Sequence, residues 1–244
     1  METAERLLDT SVGKIARLLP GATAVFHAHQ LDFCCGGKDS LRRAATERQL
    51  DAYEIAHELE ALQHESPTET QWNNATNREL IDFILQRYHD VHRQQLPELI
   101  RLAARVEYVH ESHPHCPNGL SEHLQTMLVE LEDHMQKEEQ ILFPMLAQES
   151  GNARMARAPV SMMRLEHDEH GAALRELHKL TNGISLPKGA CNTWRALYLG
   201  LETLEEDLMN HIHLENNILF ERVDGAIESS AVHGEAGSCC GSCG

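Results

Sequence analysis

LEDHMQKEEQILF at residues 131–143 returns as LMNHIHLENNILF at 208–220, and this repetition decides the fold. Upstream, YHDVHRQQLPEL at 88–99 returns as EHDEHGAALREL at 166–177, both with His-Asp-x-x-His. His89 and His167 lie 78 positions apart, and His134 and His211 lie 77 apart. Two similar helix pairs are therefore written in tandem. Their apolar residues recur at helical spacing, strand alternation is scarce, and Gly and Pro gather between the periodic segments, so an all-α chain is expected.

The spacing predicts four long helical segments, at 78–110, 120–148, 158–181 and 190–223. Loops containing HPHCPNG, ESGNA and NGISLPKG join them. Short connections favour antiparallel neighbours, hence an up-down-up-down four-helix bundle over 78–225. Pro97 and Pro144 fall inside helical patterns and are expected to kink them. A small N-terminal unit, 1–65, reads as short helices near 11–19, 22–29, 40–48 and 51–64, with a turn at Cys34-Cys35-Gly36-Gly37. Ser40 or Asp39 suits the N-cap of the third. The polar stretch HESPTETQWNNATN supplies a linker over 66–77, and the Gly/Cys-rich tail, 226–244, is expected to be disordered.

The chain has 244 residues, with 21 Lys and Arg against 38 Asp and Glu, a formal charge of −17 and 17 histidines. Such an acidic surface repels phosphate backbones and anionic lipid, so neither nucleic acid nor a membrane surface is an expected partner. A multivalent cation would relieve part of that repulsion. METAERLLDTSVGKIARLL does not read as a secretory signal, and no apolar stretch has membrane-spanning length. The seven cysteines include the adjacent pairs Cys34-Cys35 and Cys239-Cys240, a spacing that suits a reducing cytoplasm better than a disulfide scaffold.

His134 and Glu138 are four apart, as are His211 and Glu215, so each pair shares one helix face. His89 and His167 open the matching motifs on the other two helices. In an antiparallel bundle, inward residues at similar heights converge, so four histidines and two glutamates enclose one volume. That set exceeds what one tetrahedral zinc needs and suits two first-row metals bridged by both carboxylates, at the ~3.5–4 Å separation of two-metal sites. Each ion would keep room for a small molecule. Iron is preferred because imidazole and carboxylate ligation supports ferrous and ferric states; manganese or a mixed pair fits the same donors.

Blander readings compete. A single His-x-x-x-Glu on an acidic helix is ordinarily a solvated pair. Duplication alone explains Ile141-Leu142-Phe143 and Ile218-Leu219-Phe220 as core, but not buried histidine and glutamate, which need partners. His92 and His170 fall beside the ligand face, which suits a supporting or surface role. Glu139 and Glu166 read as solvated charges turned away from the site. His110, His113, His115 and Cys116 form a metal-like cluster in a Pro-rich loop that suits adventitious binding only.

DFCCGGK at 32–38, YHDVHRQQLPEL, HMQKEEQILFPM at 134–145, EHDEHG at 166–171 and HIHLENNILF at 211–220 together resemble the Repair of Iron Centers proteins, the ScdA/YtfE/DnrN group. The resemblance covers about residues 5–225. It implies a hemerythrin-like bundle behind an ScdA-type helical domain, holding an oxo-bridged pair of non-haem irons. The metal ligands fall on His89, His134, His167, His211, Glu138 and Glu215. It further implies repair of iron-sulfur clusters damaged by nitrosative or oxidative stress, through iron donation, reduction of nitric oxide, or both. The expected partners are damaged iron-sulfur proteins, with nitric oxide or oxygen species as small ligands. Cys34 and Cys35 match the group's double cysteine, for which a redox or nitrosyl-iron role is expected; a helix just beyond them would lower a thiol pKa. A tight turn with small buried side chains is the plainer reading. The histidine-rich loop and the CCGSCG tail are departures from the group. A hemerythrin-like oxygen or nitric oxide binding or sensing protein is the competing function. Glu-x-x-His, the mark of a ferritin-like oxidase, is absent as a paired motif. The sequence leaves open a homodimer, the client proteins, the reductant, and the choice between donor and reductase.

Overall fold

The computed structural model describes residues 2–19, 21–34, 36–62, 71–148 and 153–225. Cys35, residues 66–70 of the expected linker, and the tail with Cys239, Cys240 and Cys243 lie outside the described residues. The chain is all-α, and among the described residues the only bridge between extended residues joins Ser11 to Ser40.

The N-terminal unit consists of α1 (Glu2–Leu8), α2 (Val12–Leu18), α3 (Ala22–Ala28), α4 (Leu41–Glu47) and α5 (Ala52–Leu62). Ser40 caps α4, its hydroxyl accepting from the Arg43 amide at 3.3 Å. The short helix α6 (Gln71–Asn74) and α7 (Asn77–Ile84) shorten the expected linker from its C-terminal side. Trp72 packs on Phe83 with ring centroids 4.4 Å apart, and Thr76 with Glu79 forms a capping box that starts α7.

Beyond α7 the chain builds the bundle. α7 runs through a π-helical turn, π1 (Leu85–His89), into α8 (Asp90–Val109). The second rod is α9 (Leu120–Lys137), π2 (Glu138–Leu142) and α10 (Phe143–Leu146). The third is α11 (Ala153–Leu180), and the fourth is α12 (Asn192–Leu214) with π3 (Glu215–Leu219), continuing helically to 225. The third rod starts five residues before the sequence-based boundary and carries Pro159 inside it. Pro97 sits within α8, while Pro144 falls at the start of α10, directly after π2.

Two apolar clusters fill the interior, separated by a polar layer. One holds Leu80, Ile84, Leu142, Phe143, Leu219 and Phe220 at the end where the first rod begins. The other joins Leu96, Leu131, Leu177 and Leu208 of the bundle to Leu8, Phe26, Leu41 and Leu59 of the N-terminal unit. A shared core of this kind makes the N-terminal unit part of the bundle's packing. Its approach requires glycine: a Cβ on Gly13 would stand 2.4 Å from Asn217 Oδ1 and 2.9 Å from the Gly37 carbonyl. The tripeptide runs Ile141-Leu142-Phe143 and Ile218-Leu219-Phe220 are not both core throughout. Ile218 is 5 % exposed but Ile141 is 55 % exposed. α2 packs on π3, whereas among the described residues π2 meets only elements of the bundle at comparable closeness.

Candidate metal centre

The polar layer between the two clusters is the site. His89 ends π1, Glu138 begins π2 and Glu215 begins π3, so three of the six expected ligands stand where an α-helix meets a π-turn. A π-turn inserts one extra residue and rotates the residues beyond it about the helix axis, a distortion found mostly at functional positions. His134 and His211 lie one turn earlier on their own rods, and His167 lies within the uninterrupted α11.

All six side chains converge, and each is at most 1 % exposed. They form two four-membered groups, His89, His211, Glu138 and Glu215, and His134, His167, Glu138 and Glu215. Within each group the potential ligand atoms lie within 4.8 Å of one another, and both carboxylates belong to both groups. The Nε2 atoms of His89 and His211 are 3.1 Å apart, as are those of His134 and His167. Glu215 faces His211 with Oε1 and His167 with Oε2, each at 3.0 Å, so its two oxygens serve different groups. Glu138 Oε2 stands 3.5 Å from His89 Nε2 and 3.4 Å from His134 Nε2.

The electrostatics favour cations here. Glu138 is fully buried, and neither of its oxygens accepts a hydrogen bond among the described residues. Burial and the neighbouring Glu215 carboxylate push Glu138 well above the usual carboxylate range. Leaving a charged carboxylate in this state costs several kcal/mol unless cations compensate it. Burial, reinforced by the facing His211, lowers His89 to about 2, so its imidazole is neutral and fit to coordinate.

The ligand imidazoles are held from behind. His89 Nδ1 donates to Glu139 at 2.8 Å, and Arg93 pairs with the same carboxylate at 2.9 Å. His134 Nδ1 donates to Glu166 at 2.8 Å, which Lys137 meets at 2.7 Å. The hydrogen bond from His134, opposed by partial burial and aided by Lys137, lowers Glu166 to about 2. Because a carboxylate only accepts, each Nδ1 carries the proton and Nε2 keeps its lone pair for a metal. Glu139 and Glu166 are therefore not solvated charges turned away from the site, as their sequence positions suggested. The π-turn and the adjacent rod bring each within reach of a ligand, a geometry that 3.6-residue spacing does not reveal. His92 and His170 are buried, which excludes the surface alternative for both.

His167 Nδ1 meets Asn216 Oδ1 at 2.9 Å, and Asn216 Nδ2 donates to the Cys34 carbonyl at 3.3 Å. The next residue, Asn217, donates to the Phe33 carbonyl at 3.2 Å. Consecutive residues of π3 thus face the metal site and the cysteine turn. Sequence reasoning missed both asparagines, whose only signal was that Asn216 stands where the first copy has Glu139. Cys34 is 5 % exposed, and its thiol donates to Asp32 at 3.3 Å; the cap of α4 is filled by Ser40. A cleft of about 570 Å³ has Cys34, His27, Gly171, His178, Glu205 and Met209 on its wall, and Gly171 adjoins His170. Elsewhere, His110 Nε2 lies 3.2 Å from Cys191 Sγ, while the rings of His110 and His113 pack on Trp194. That loop, with His115 and Cys116, joins no further converging group of three ligands among the described residues.

The hemerythrin HHE cation binding domain matches residues 80–223, and the ScdA_N domain, a domain of unknown function, matches residues 8–63. An iron-sulfur cluster repair protein YtfE from Yersinia pseudotuberculosis is 50 % identical over 214 residues, covering 88 % of this chain and 96 % of that protein. The protein of the same name from Yersinia pestis strain Pestoides F matches with the same identity and coverage. Among the described residues no helix is long and apolar enough to cross a membrane.

Proposed function

The chain belongs to the hemerythrin HHE cation-binding family, in the two-domain Repair of Iron Centers form, and on that premise we propose that it is a di-iron protein that repairs damaged iron-sulfur clusters. The observation that carries the proposal is the pair of four-donor groups sharing two fully buried carboxylates. His89 and His211 would hold one iron and His134 and His167 the other, with Glu138 and Glu215 common to both. Iron fits because neutral imidazole and carboxylate together tolerate two oxidation states.

A bound pair would supply ferrous–ferric electron exchange, positions for nitric oxide or an oxygen species, and iron itself as cargo. The residues of the chain do the rest. Glu139 and Glu166 fix the imidazole tautomers and raise their basicity, and Asn216 orients His167. Tyr88 stacks on His211 at 5.3 Å and Phe220 on His167 at 5.9 Å, walling the ligands from solvent. Cys34 opens on the cleft beside Gly171, an approach for a thiol-bound or nitrosylated species. The thiols of Cys116 and Cys191, unbridged among the described residues, suit the reducing cytoplasm in which damaged clusters arise.

Iron donation and nitric oxide reduction make opposite predictions about metal content. Iron-loaded protein is incubated anaerobically with a nitric-oxide-damaged cluster protein, and cluster restoration and retained iron are both measured. Restoration matched by stoichiometric iron loss supports donation; restoration or nitric oxide consumption over many turnovers with iron retained supports catalysis. No restoration beyond that given by free ferrous salt overturns the repair reading.

A further inference from the structure

The cleft beside Cys34 is walled by both units of the chain, and the metal-ligand set takes no part in it. Its volume, about 570 Å³, falls in the range that accommodates small organic ligands. The N-terminal unit contributes Asp32 and, at the C-terminal end of α4, Arg48; the bundle contributes Arg175 and Lys179 of α11 and Glu205 of α12. Both wall carboxylates and the lysine are already engaged. Asp32 accepts from the amide and the thiol of Cys34, at 3.2 and 3.3 Å. Glu205 takes His178 at 2.7 Å, and Lys179 pairs with Glu176 at 2.7 Å. The guanidinium groups of Arg48 and Arg175 have no hydrogen-bond or ion-pair partner among the described residues.

A single exposed arginine is ordinarily solvated and says nothing alone. Here two of them, one from each unit, line one cleft in a chain where 38 acidic side chains outnumber 21 basic ones. The Arg48 charge is felt inside the cleft, where it opposes the rise in the His178 pKa that the Glu205 hydrogen bond produces. Like charges brought to one cleft repel, and a ligand with two negative groups removes that repulsion. The guanidinium fork takes a carboxylate through two parallel hydrogen bonds, so two arginines match two carboxylates. Leu174 and Met209 add apolar wall, and the volume is more than a bare dicarboxylate needs. A short acidic peptide fits both the charge and the size.

We propose that this cleft binds a small peptide anion through two carboxylates, one held by Arg48 of the N-terminal unit and one by Arg175 of the bundle. The inference rests on the reading of the cleft as an approach for a small thiol-bound species, and it names what anchors that species. Calorimetric titration of the full-length chain, both iron-loaded and metal-free, tests it with three probes: reduced glutathione, which has two carboxylates and a thiol; its S-methyl derivative, which keeps the carboxylates; and its diethyl ester, which lacks them. Glutathione and the S-methyl form are expected to bind alike in both metal states, and the ester not at all. Arg48→Gln and Arg175→Gln, at exposed positions that leave the melting temperature unchanged, should each weaken binding about tenfold, the loss of one charge-assisted pair. Affinity unchanged in both variants overturns the proposal, as does the absence of binding by either carboxylate form. Binding of glutathione without its S-methyl form also overturns it, since the sulfur would then be held by iron or a cysteine. Iron is counted on the same samples: fewer than two per chain, with carboxylate-dependent binding intact, defeats the di-iron reading and supports the cleft.

Discussion

The two copies of the repeat supply the same candidate ligands and support them differently. In the first copy Glu139 holds His89 by a carboxylate; in the second, the equivalent Asn216 holds His167 by an amide and turns its other end to the Cys34 carbonyl. Glu166 holds His134, whereas its counterpart 78 positions earlier, Tyr88, lies flat on His211, whose Nδ1 has no hydrogen-bond partner among the described residues. π1 precedes His89, yet His167 lies in continuous α-helix. Both copies place a buried carboxylate between the two groups, while the layer behind the candidate ligands diverges. The divergence ties the His134 and His167 group to the cysteine turn through Asn216, a link that the His89 and His211 group lacks among the described residues. The N-terminal unit drove the same asymmetry in packing, covering Ile218 and leaving Ile141 exposed.

The largest expected effect removes what the halves share. Glu215→Ala should lower iron from two per chain to less than one, because both positions lose a ligand and Glu138 loses its shared cation; an elemental count that stays at two refutes the bridge. Next comes acid. Burial lowers His89 to about 2 and His170 to about 3, both below the ordinary 6.5. Below pH 6.5 the unfolded chain binds protons that the folded chain refuses, so stability is complete above 6.5 and is lost as pH falls toward 3. Each group contributes about 1.4 kcal/mol per pH unit. Burial likewise lowers His92 to about 3 and His213 to about 4, so urea melts of the metal-free protein should show a summed slope of which His170→Phe removes one histidine's share.

Support-layer variants sharpen the comparison further. Glu139→Gln and Glu166→Gln should each weaken metal binding roughly 10- to 100-fold, measured by competition with a chelator. Equal losses would show that each position depends on one carboxylate-backed histidine; no loss in either would make these carboxylates ordinary surface charges. Asn216→Leu should have a smaller effect on metal and destabilise the fold by about 1–3 kcal/mol, since the Cys34 carbonyl and His167 both lose a partner. Replacing Asn216 with Asp keeps the acceptor and removes the donor, so it should restore His167 and leave the cysteine turn loosened, as hydrogen exchange at Phe33 and Cys34 would report.

The helical class and the convergence of six side chains were legible in the sequence because period and register are properties of residue spacing. The repeat places His134 and Glu138, and His211 and Glu215, on one face without any tertiary information. The roles of Glu139 and Asn216 were not legible because a π-turn shifts residue directions off the 3.6-residue wheel, and that of Glu166 because its partner His134 stands on another rod. Nor was the cover on Ile218, which depends on how Gly13 and Gly37 let the N-terminal unit settle against Asn217. Helix α1, over Glu2–Leu8, was also absent from the sequence reading.

The central claim is one dinuclear centre bridged by carboxylates drawn from both copies. Mössbauer spectroscopy of protein reconstituted with isotopically enriched iron tests it most directly. The account predicts two ferric ions per chain, antiferromagnetically coupled to a diamagnetic ground state. A spectrum of isolated paramagnetic ferric ions, or one iron per chain at saturation, would contradict it.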